Sequence, residues 1–245
     1  MLTNDVLQTM SNHRSIRSFT DKPITDEIID TITTAARWAS TSHHVQAYSI
    51  VTIKNADTKK DFAEWTGGQP WVASCPIFFV ICGDFSRHAQ ASEQHDAPFT
   101  VGGIEQLLVA TVDASLVAQN MLLAAQSLGL GGVMIGGIRN EPEKIATRLQ
   151  LPKYVFPVMG LALGYPARDP AQKPRLPQNV TVHEEHYQHQ PHALEIYDKT
   201  ISSYYEARTK GADTRNWTAR MAQYTEKNKR PHLKGFLQKQ GFLTE

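Results

Sequence analysis

His13-Arg14-Ser15-Ile16-Arg17 places three potentially cationic side chains and a hydroxyl in five consecutive residues, with no acid among them. Arginine offers a rigid fork of donors that matches phosphate oxygens, and serine adds a short donor. The stretch follows a short amphipathic segment carrying Val6, Leu7 and Met10. Two readings stand. The segment is an anion cradle, for the phosphate of a nucleotide or flavin, or it is a solvated basic turn that pairs with nearby carboxylates.

A second cationic pair, Lys173 and Arg175, is held extended by Pro174 between them. Neither cluster has an acid beside it in sequence, so one anion bridged by both is a candidate arrangement. Gly136-Gly137 follows a strand-like run and precedes a helix start, the order that lets backbone amides approach a ligand; a plain turn has the same look. Gly129-Leu130-Gly131-Gly132 does not make a dinucleotide fingerprint. Met134 stands at its sixth position, and the glycines follow a helix instead of a strand. They read as a helix stop and a turn. His183, His186, His189 and His192 recur every three residues, but Pro191 interrupts any helix that would align them, so no metal site is expected. No Gly-x-Ser-x-Gly or His-Glu-x-x-His is present, which removes the common hydrolase readings.

The balance of 25 Lys+Arg against 24 Asp+Glu gives no basic excess, so nucleic acid is not an expected partner. Met1 to Asp5 has neither a basic start nor an apolar core, and no signal peptide is expected. The weakly charged run from Ala114 to Gly132 is broken by Gln119, Asn120 and Gln126, and reads as a buried helix instead of a membrane span. Cys75 and Cys82 lie beside or within an apolar run with no bridging geometry, which suits a reduced, cytoplasmic protein.

Elements must position these residues. Thr25, followed by Asp26 and Glu27, caps a first helix whose buried side is Ile28, Ile32, Ala35 and Ala36, with Ile24 placed to staple Ile29. Ser40 to His44 is a polar loop, and Tyr48 to Ile53 is a β-branched strand. A helix over Asp57 to Trp65 stops at Gly67-Gly68, and Ile77 to Cys82 is a strand covered on both faces. Arg87 to Thr100 reads as helix fading into a mobile loop. Gly103 to Leu128 is the longest helix; it carries no charge after Asp113 and must be enclosed by its own domain or by a partner. Gly131-Gly132 turns the chain into a short strand, Val133 to Ile135, and Pro142 opens another helix. Val155 to Leu163 is the next strand. From Gly164 the prolines predict an extended arm, with helices resuming at Ala193 to Arg208, Thr218 to Glu226 and Pro231 to Gln240. Trp217, Tyr204, Tyr205, Phe236 and Phe242 among many charges suit a surface-wrapping excursion.

Taken together, these pieces resemble the FMN-dependent nitroreductase superfamily, in its branch of NADPH-dependent oxygen-insensitive nitroreductases and flavin reductases. The resemblance spans nearly the whole chain. It rests on His13 to Arg17 with Phe19, on Thr66-Gly67-Gly68-Gln69 and on Gly131 to Asn140. Leu163-Gly164-Tyr165-Pro166, Lys173 to Pro177 and Gln238-Lys239-Gln240-Gly241 complete it. It implies an α+β fold, a mixed and mainly antiparallel sheet flanked by helices, in an intertwined homodimer. Residues 1–165 would form the FMN-binding core, and residues 166–245 a C-terminal arm and helical excursion that completes the same domain and wraps the partner. FMN would lie at the dimer interface.

Residue by residue, the resemblance assigns His13, Arg14, Ser15 and Arg17 to the ribityl-phosphate and ring edge, with Lys173 and Arg175 on the other side. Ser40, Thr41 and Ser42 match a loop supplied by the partner chain. Gln69 matches a side chain that hydrogen-bonds near the flavin. Met134, Ile135, Gly136 and Gly137 match the backbone beside its reactive face, with Met134 where relatives often carry tyrosine. His43, His44 and Arg230 would line the substrate pocket. Arg208 matches an arginine for the NADPH 2′-phosphate. Asp213 falls where a second arginine can stand, and Lys210 or Arg215 is its substitute. The implied activity is ping-pong two-electron reduction by NADPH, with NADH as a possible donor, of nitroaromatics, quinones, azo compounds or free flavin. No side chain is assigned as a general acid. The alternatives are a reductase whose physiological acceptor is free FMN, and a non-catalytic flavin-binding sensor.

Overall fold

The computed structural model describes residues 2–227 and 229–245. It divides into two compact units, one comprising the residues up to Asp169 together with Arg230–Glu245, the other Pro170–Lys229.

The first unit is built on a four-stranded sheet of β1 (Tyr48–Ile53), β2 (Ile77–Asp84), β3 (Gly131–Ile135) and β4 (Val155–Gly164), in the order β1-β2-β4-β3. Every strand pair is antiparallel, with Ile50 opposite Ile81, Val80 opposite Gly160 and Val133 opposite Ala162. The only parallel element among the described residues is an isolated bridge between Ser15 and Gly132, where Ile16 N–H donates to the Gly132 carbonyl at 2.9 Å. Thus the cationic segment lies along the outer edge of β3. β2 is buried at every residue, as its continuous apolar run requires.

α6 (Ile104–Ser127) crosses one face of the sheet with α2 (Asp26–Ala36) against it, and α1 (Asp5–Ser11) touches α6. Thr25 caps α2, accepting from Ile28 N–H, and the buried side centres on Ile29, Ile32 and Ala36, one position round from the expected stripe. α6 buries Ala110, Asp113, Ala114, Val117, Ala118, Met121, Leu122 and Ala125. Its length and composition would suffice for a membrane span, yet these residues pack into the unit's core. The opposite face is covered by α3 (Ala56–Trp65), α4 (Pro70–Ser74) and α7 (Pro142–Arg148), where Phe62, Val72 and Ile145 meet Phe78 and Val80. α5 (Ser86–Gln94) follows β2, and residues 95–103 run irregularly after it.

Two expectations are corrected. Gly131 and Gly132 do not turn the chain; they begin β3, and the turn falls at Gly129 with φ +78°. They lack side chains because of what packs there. A Cβ on Gly131 would lie 2.4 Å from Ile16 Cγ1, and one on Gly132 would lie 2.4 Å from Leu163 Cδ2 and 2.6 Å from the Ala162 carbonyl. Second, the aromatics of the tail part company. α11 (Leu233–Lys239) belongs to the first unit, and Phe242 is fully buried there against Phe156, ring centroids 4.9 Å apart.

The second unit consists of an extended, proline-rich lead, α8 (Gln178–Thr181), α9 (Pro191–Thr209) and α10 (Trp217–Thr225). α9 ends with Lys210 in the left-handed region at φ +53°. Asp198 accepts from Thr218 N–H at 2.9 Å and so ties the start of α10 to α9.

Candidate functional site

The segment over His13 to Arg17 meets β3 at the Ser15–Gly132 bridge, and its side chains go to different surroundings. Ile16 is buried in the space that Gly131 leaves open. Arg14 lines a cavity of about 520 Å³ with Asp5, Asn12, Gln126 and Asp169, and its Nε lies 3.3 Å from Asp169 Oδ1. That contact is an ion pair outside hydrogen-bond geometry, and the buried Nε has no hydrogen-bond acceptor. His13 Nδ1 and Gln126 Nε2 are 3.0 Å apart. The Arg17 guanidinium stands over the Trp71 ring of α4 at 5.6 Å from its centroid, which keeps it near the sheet edge. The ion pair of Arg14 is what the basic-turn reading expects, with a carboxylate that the sequence places far away, while the Arg17 guanidinium rests against an aromatic ring.

Beyond β3, Gly136–Arg139 forms one 3-10 turn before Pro142 opens α7. A Cβ on Gly137 would fall 2.3 Å from the Thr66 carbonyl and 2.7 Å from Gln69 Nε2. Gln69 itself donates to that carbonyl at 2.7 Å. The expected flavin contact of Gln69 is thus a side chain already anchored to the 66–69 loop. Asn140 joins the group: its N–H donates to Gly137 O at 2.8 Å, and its Oδ1 accepts from Arg230 Nε at 2.8 Å. Arg230, in the left-handed region at φ +58°, is brought beside the glycine turn. Met134 is half-buried, whereas the Ile135 side chain fills the core, so only the backbone of Ile135 is available to a ligand.

Ser40 to His44 is polar and ends in a 3-10 turn over Ser42–His44; Ser40, His43 and His44 are exposed, Thr41 and Ser42 half-buried, and Asp113 of α6 is buried. Asp113 Oδ1 accepts from Ser42 N–H at 3.1 Å and Oδ2 from Ala47 N–H at 3.0 Å. Ser42 Oγ lies 3.2 Å from His43 Nδ1, and His44 Nε2 lies 3.2 Å from Gln46 Nε2.

The second unit carries Lys173, Arg175, Arg208, Lys210 and Arg215, together with Arg220, which no motif in the sequence points to. Arg220 stacks over the Tyr205 ring at 3.7 Å and pairs with Asp213 at 2.7 Å. Lys173 Nζ stands 5.0 Å from the same ring, and Arg208 donates to Tyr204 Oη at 3.1 Å. Arg175 donates to the Lys173 carbonyl at 3.4 Å. Arg215 grips Asp213 through Nε and Nη2, both at 3.2 Å. These bonds hold the Asp213 carboxyl far below the usual carboxylate range. Burial pushes the Tyr205 phenol up, but the bond from Lys173 and the charges of Lys173, Arg220 and Arg208 outweigh it and leave its pKa lowered. Among the histidines before α9, His183 accepts from Gln188 N–H and stacks on Tyr187, ring centroids 4.5 Å apart. Cys75 and Cys82 are free, and burial pushes both thiols up to about 12, so neither supplies a thiolate near neutral pH.

An antiparallel sheet between two helical layers, with a cationic segment bridged to one edge and a glycine turn after the adjacent strand, defines an α+β class. Residues 10–165 match the Nitroreductase family, and residues 173–245 match the Nitroreductase family, C-terminal domain. The chain is 41% identical over 247 residues to FMN reductase [NAD(P)H] of Bacillus subtilis (strain 168), covering 99% of both chains. It is 43% identical over 241 residues to the oxygen-insensitive NADPH nitroreductase of Salmonella typhimurium, covering 97% of this chain and 98% of that one. Among solved structures, B. megaterium NfrA2 superposes with a TM-score of 0.97 at 40% identity, over 99% of this chain and 100% of that one. The chain belongs to the nitroreductase family.

Proposed function

We propose that this protein is an FMN-dependent NAD(P)H oxidoreductase that reduces nitroaromatics, quinones, azo compounds or free flavin in two-electron steps. The observation that carries the reading is the His13–Arg17 segment bridged to Gly132, which lines up cations and a hydroxyl along the edge of β3 and leads to the Gly136-Gly137 turn. The residues fit a phosphorylated cofactor. Arg14 has a buried Nε without a hydrogen-bond acceptor, and Arg17, Ser15 and His13 are donors suited to anionic oxygens. When bound, FMN supplies the chemistry, taking a hydride from a reduced nicotinamide and passing an electron pair to the acceptor.

The chain's own residues bind and orient. Arg14 and Arg17 neutralise the phosphate and stabilise negative charge that develops nearby, with Ser15 and His13 as further hydrogen-bond donors. Gln69 and the backbone of Met134 to Gly137 border the same edge. Arg230, held by Asn140, is the cation for an anionic or nitro-bearing acceptor. Lys173 and Arg175 are further cofactor contacts, and Arg208, with Lys210 or Arg215, receives the donor's phosphate; these assignments rest on the resemblance. Arg215 is the weaker candidate of the two, because Asp213 already holds it.

The working form in this reading is a homodimer in the cytoplasm. Supporting the dimer, Ile104, Leu108, Val112 and Leu116 form an exposed apolar stripe on α6, and Val6, Leu7 and Met10 of α1 are exposed as well. A second copy would cover the stripe and offer its Ser40, Thr41, Ser42, His43 and His44 to the neighbouring flavin. Free FMN as the physiological acceptor is a second reading, favoured by the activity in the name of the B. subtilis relative.

An anaerobic visible spectrum with successive additions of NADPH and NADH tests the proposal. A flavin band that bleaches on donor addition is expected. A band that persists with both donors would leave a binding module, and absence of flavin uptake would overturn the reading.

A further inference from the structure

The turn from Ser42 to Ala47 is assembled in a way its local sequence disfavours. His43, His44 and Gln46 have φ of +46°, +58° and +52°, a region where side chains other than glycine's cost free energy. Such conformations persist only when the surroundings over-determine them. Here the surroundings are polar on both sides. The N–H groups at the two ends, Ser42 and Ala47, both point to the carboxylate of Asp113, which is 1% exposed. The carbonyls between them point to bases: Arg87 Nη2 donates to Gln46 O at 3.1 Å, and His88 Nε2 lies 2.9 Å from Val45 O. An acid thus takes the turn's amides and two bases of α5 take its carbonyls.

Burying a carboxylate is costly unless it is fully hydrogen-bonded. A carboxylate with an oxygen for each end of the turn is compensated only while the turn keeps its strained shape. We propose that Asp113 is a positioning residue, a clasp that locks the 42–47 turn and thereby fixes Ser42, His43 and His44 for ligand contact. The proposal rests on the flavin reading for what the turn touches, though not for how it is held. Asparagine keeps the shape of the side chain but places an NH2 group against one of the two N–H donors. The turn then populates its competent form less, and apparent affinity falls in proportion.

The test uses the full-length apo-protein and two readouts. The first is amide hydrogen exchange at Ser42 and Ala47, without ligand. The second is FMN affinity by fluorescence titration. Asp113→Asn is expected to speed exchange at both amides and to weaken FMN binding by about 10- to 100-fold, the loss of one charge-assisted hydrogen bond. Adding Gln46→Gly, which removes part of the strain that the clasp opposes, is expected to recover much of that affinity. Unchanged protection, or wild-type FMN affinity despite a lowered Tm, would overturn the proposal and leave Asp113 a structural residue only. Should Asp113→Asn fail to fold, Asp113→Glu keeps the charge but lengthens the reach. Weakened FMN binding with a near-normal Tm supports the clasp, and full affinity overturns it. Should the wild-type protein take up no FMN, the flavin reading falls, and the exchange at Ser42 and Ala47 still decides for or against Asp113.

Discussion

Arg17 and Arg220 are both arginines set against an aromatic ring, one over Trp71 and one over Tyr205, yet the regions around them place cations by different means. At the sheet edge, backbone does the placing. Ile16 N–H is bonded to the Gly132 carbonyl, and Gly131 makes room for the Ile16 side chain next to Arg17. In the helical unit, side-chain charge does it. Asp213 holds Arg215 and Arg220, and Tyr205 is surrounded by Lys173, Arg208 and Arg220. Placement by backbone is set by packing and is insensitive to pH and salt; placement by partly exposed charge is adjustable and screened.

Single methyl groups should break this comparison most sharply. Gly132→Ala forces a Cβ against Leu163 and a carbonyl in the middle of the sheet, and should cost about 1–3 kcal/mol or more in urea unfolding. Gly211→Ala, in the helical unit, meets nothing within 4 Å and carries only the strain of φ +84°, a cost of about 1 kcal/mol. Equal costs would show that the sheet edge is no more tightly packed than the helical loop.

Arg17→Ala removes one cation without disturbing the backbone that places it. FMN affinity should fall about 10- to 100-fold with little change in Tm, measured by titration of apo-protein. Unchanged affinity would remove Arg17 from the cofactor site. Arg220→Ala removes one of the charges that lower the Tyr205 pKa, so the phenol should titrate at higher pH, read from phenolate absorbance. No upward move would mean that Lys173 and Arg208 suffice to set it.

The smallest effect is the acid response. The Asp213 carboxyl has a depressed folded pKa, so its contribution is present above the unfolded value near 3.8 and is lost as pH falls through the folded one. Chemical shifts of the Asp213 carboxyl should therefore stay those of a carboxylate through about pH 4, where ordinary carboxylates protonate. Protonation there would show that the Arg215 and Arg220 pairs are not formed in solution.

What the sequence determined by itself was local. Thr25 caps its helix because a cap needs only the next turn's amides, and α6 was legible from its own composition. The Gly136-Gly137 turn was legible too, since strand, glycine pair and proline-opened helix follow one another directly. The family was legible because several short motifs kept their order along the chain. Tertiary structure decided the rest. That Gly131 and Gly132 sit within a strand depends on Ile16 and Leu163 arriving from elsewhere. Arg14 looked unpaired until the fold brought Asp169 to it, and Arg220 had no signal because its partners, Tyr205 and Asp213, lie on another helix and a loop. Asp113 read only as the last charge on an apolar helix. Its two amide partners lie on a turn with three non-glycine residues at positive φ, and side chains of α5 and α6 bond that turn from elements distant in sequence.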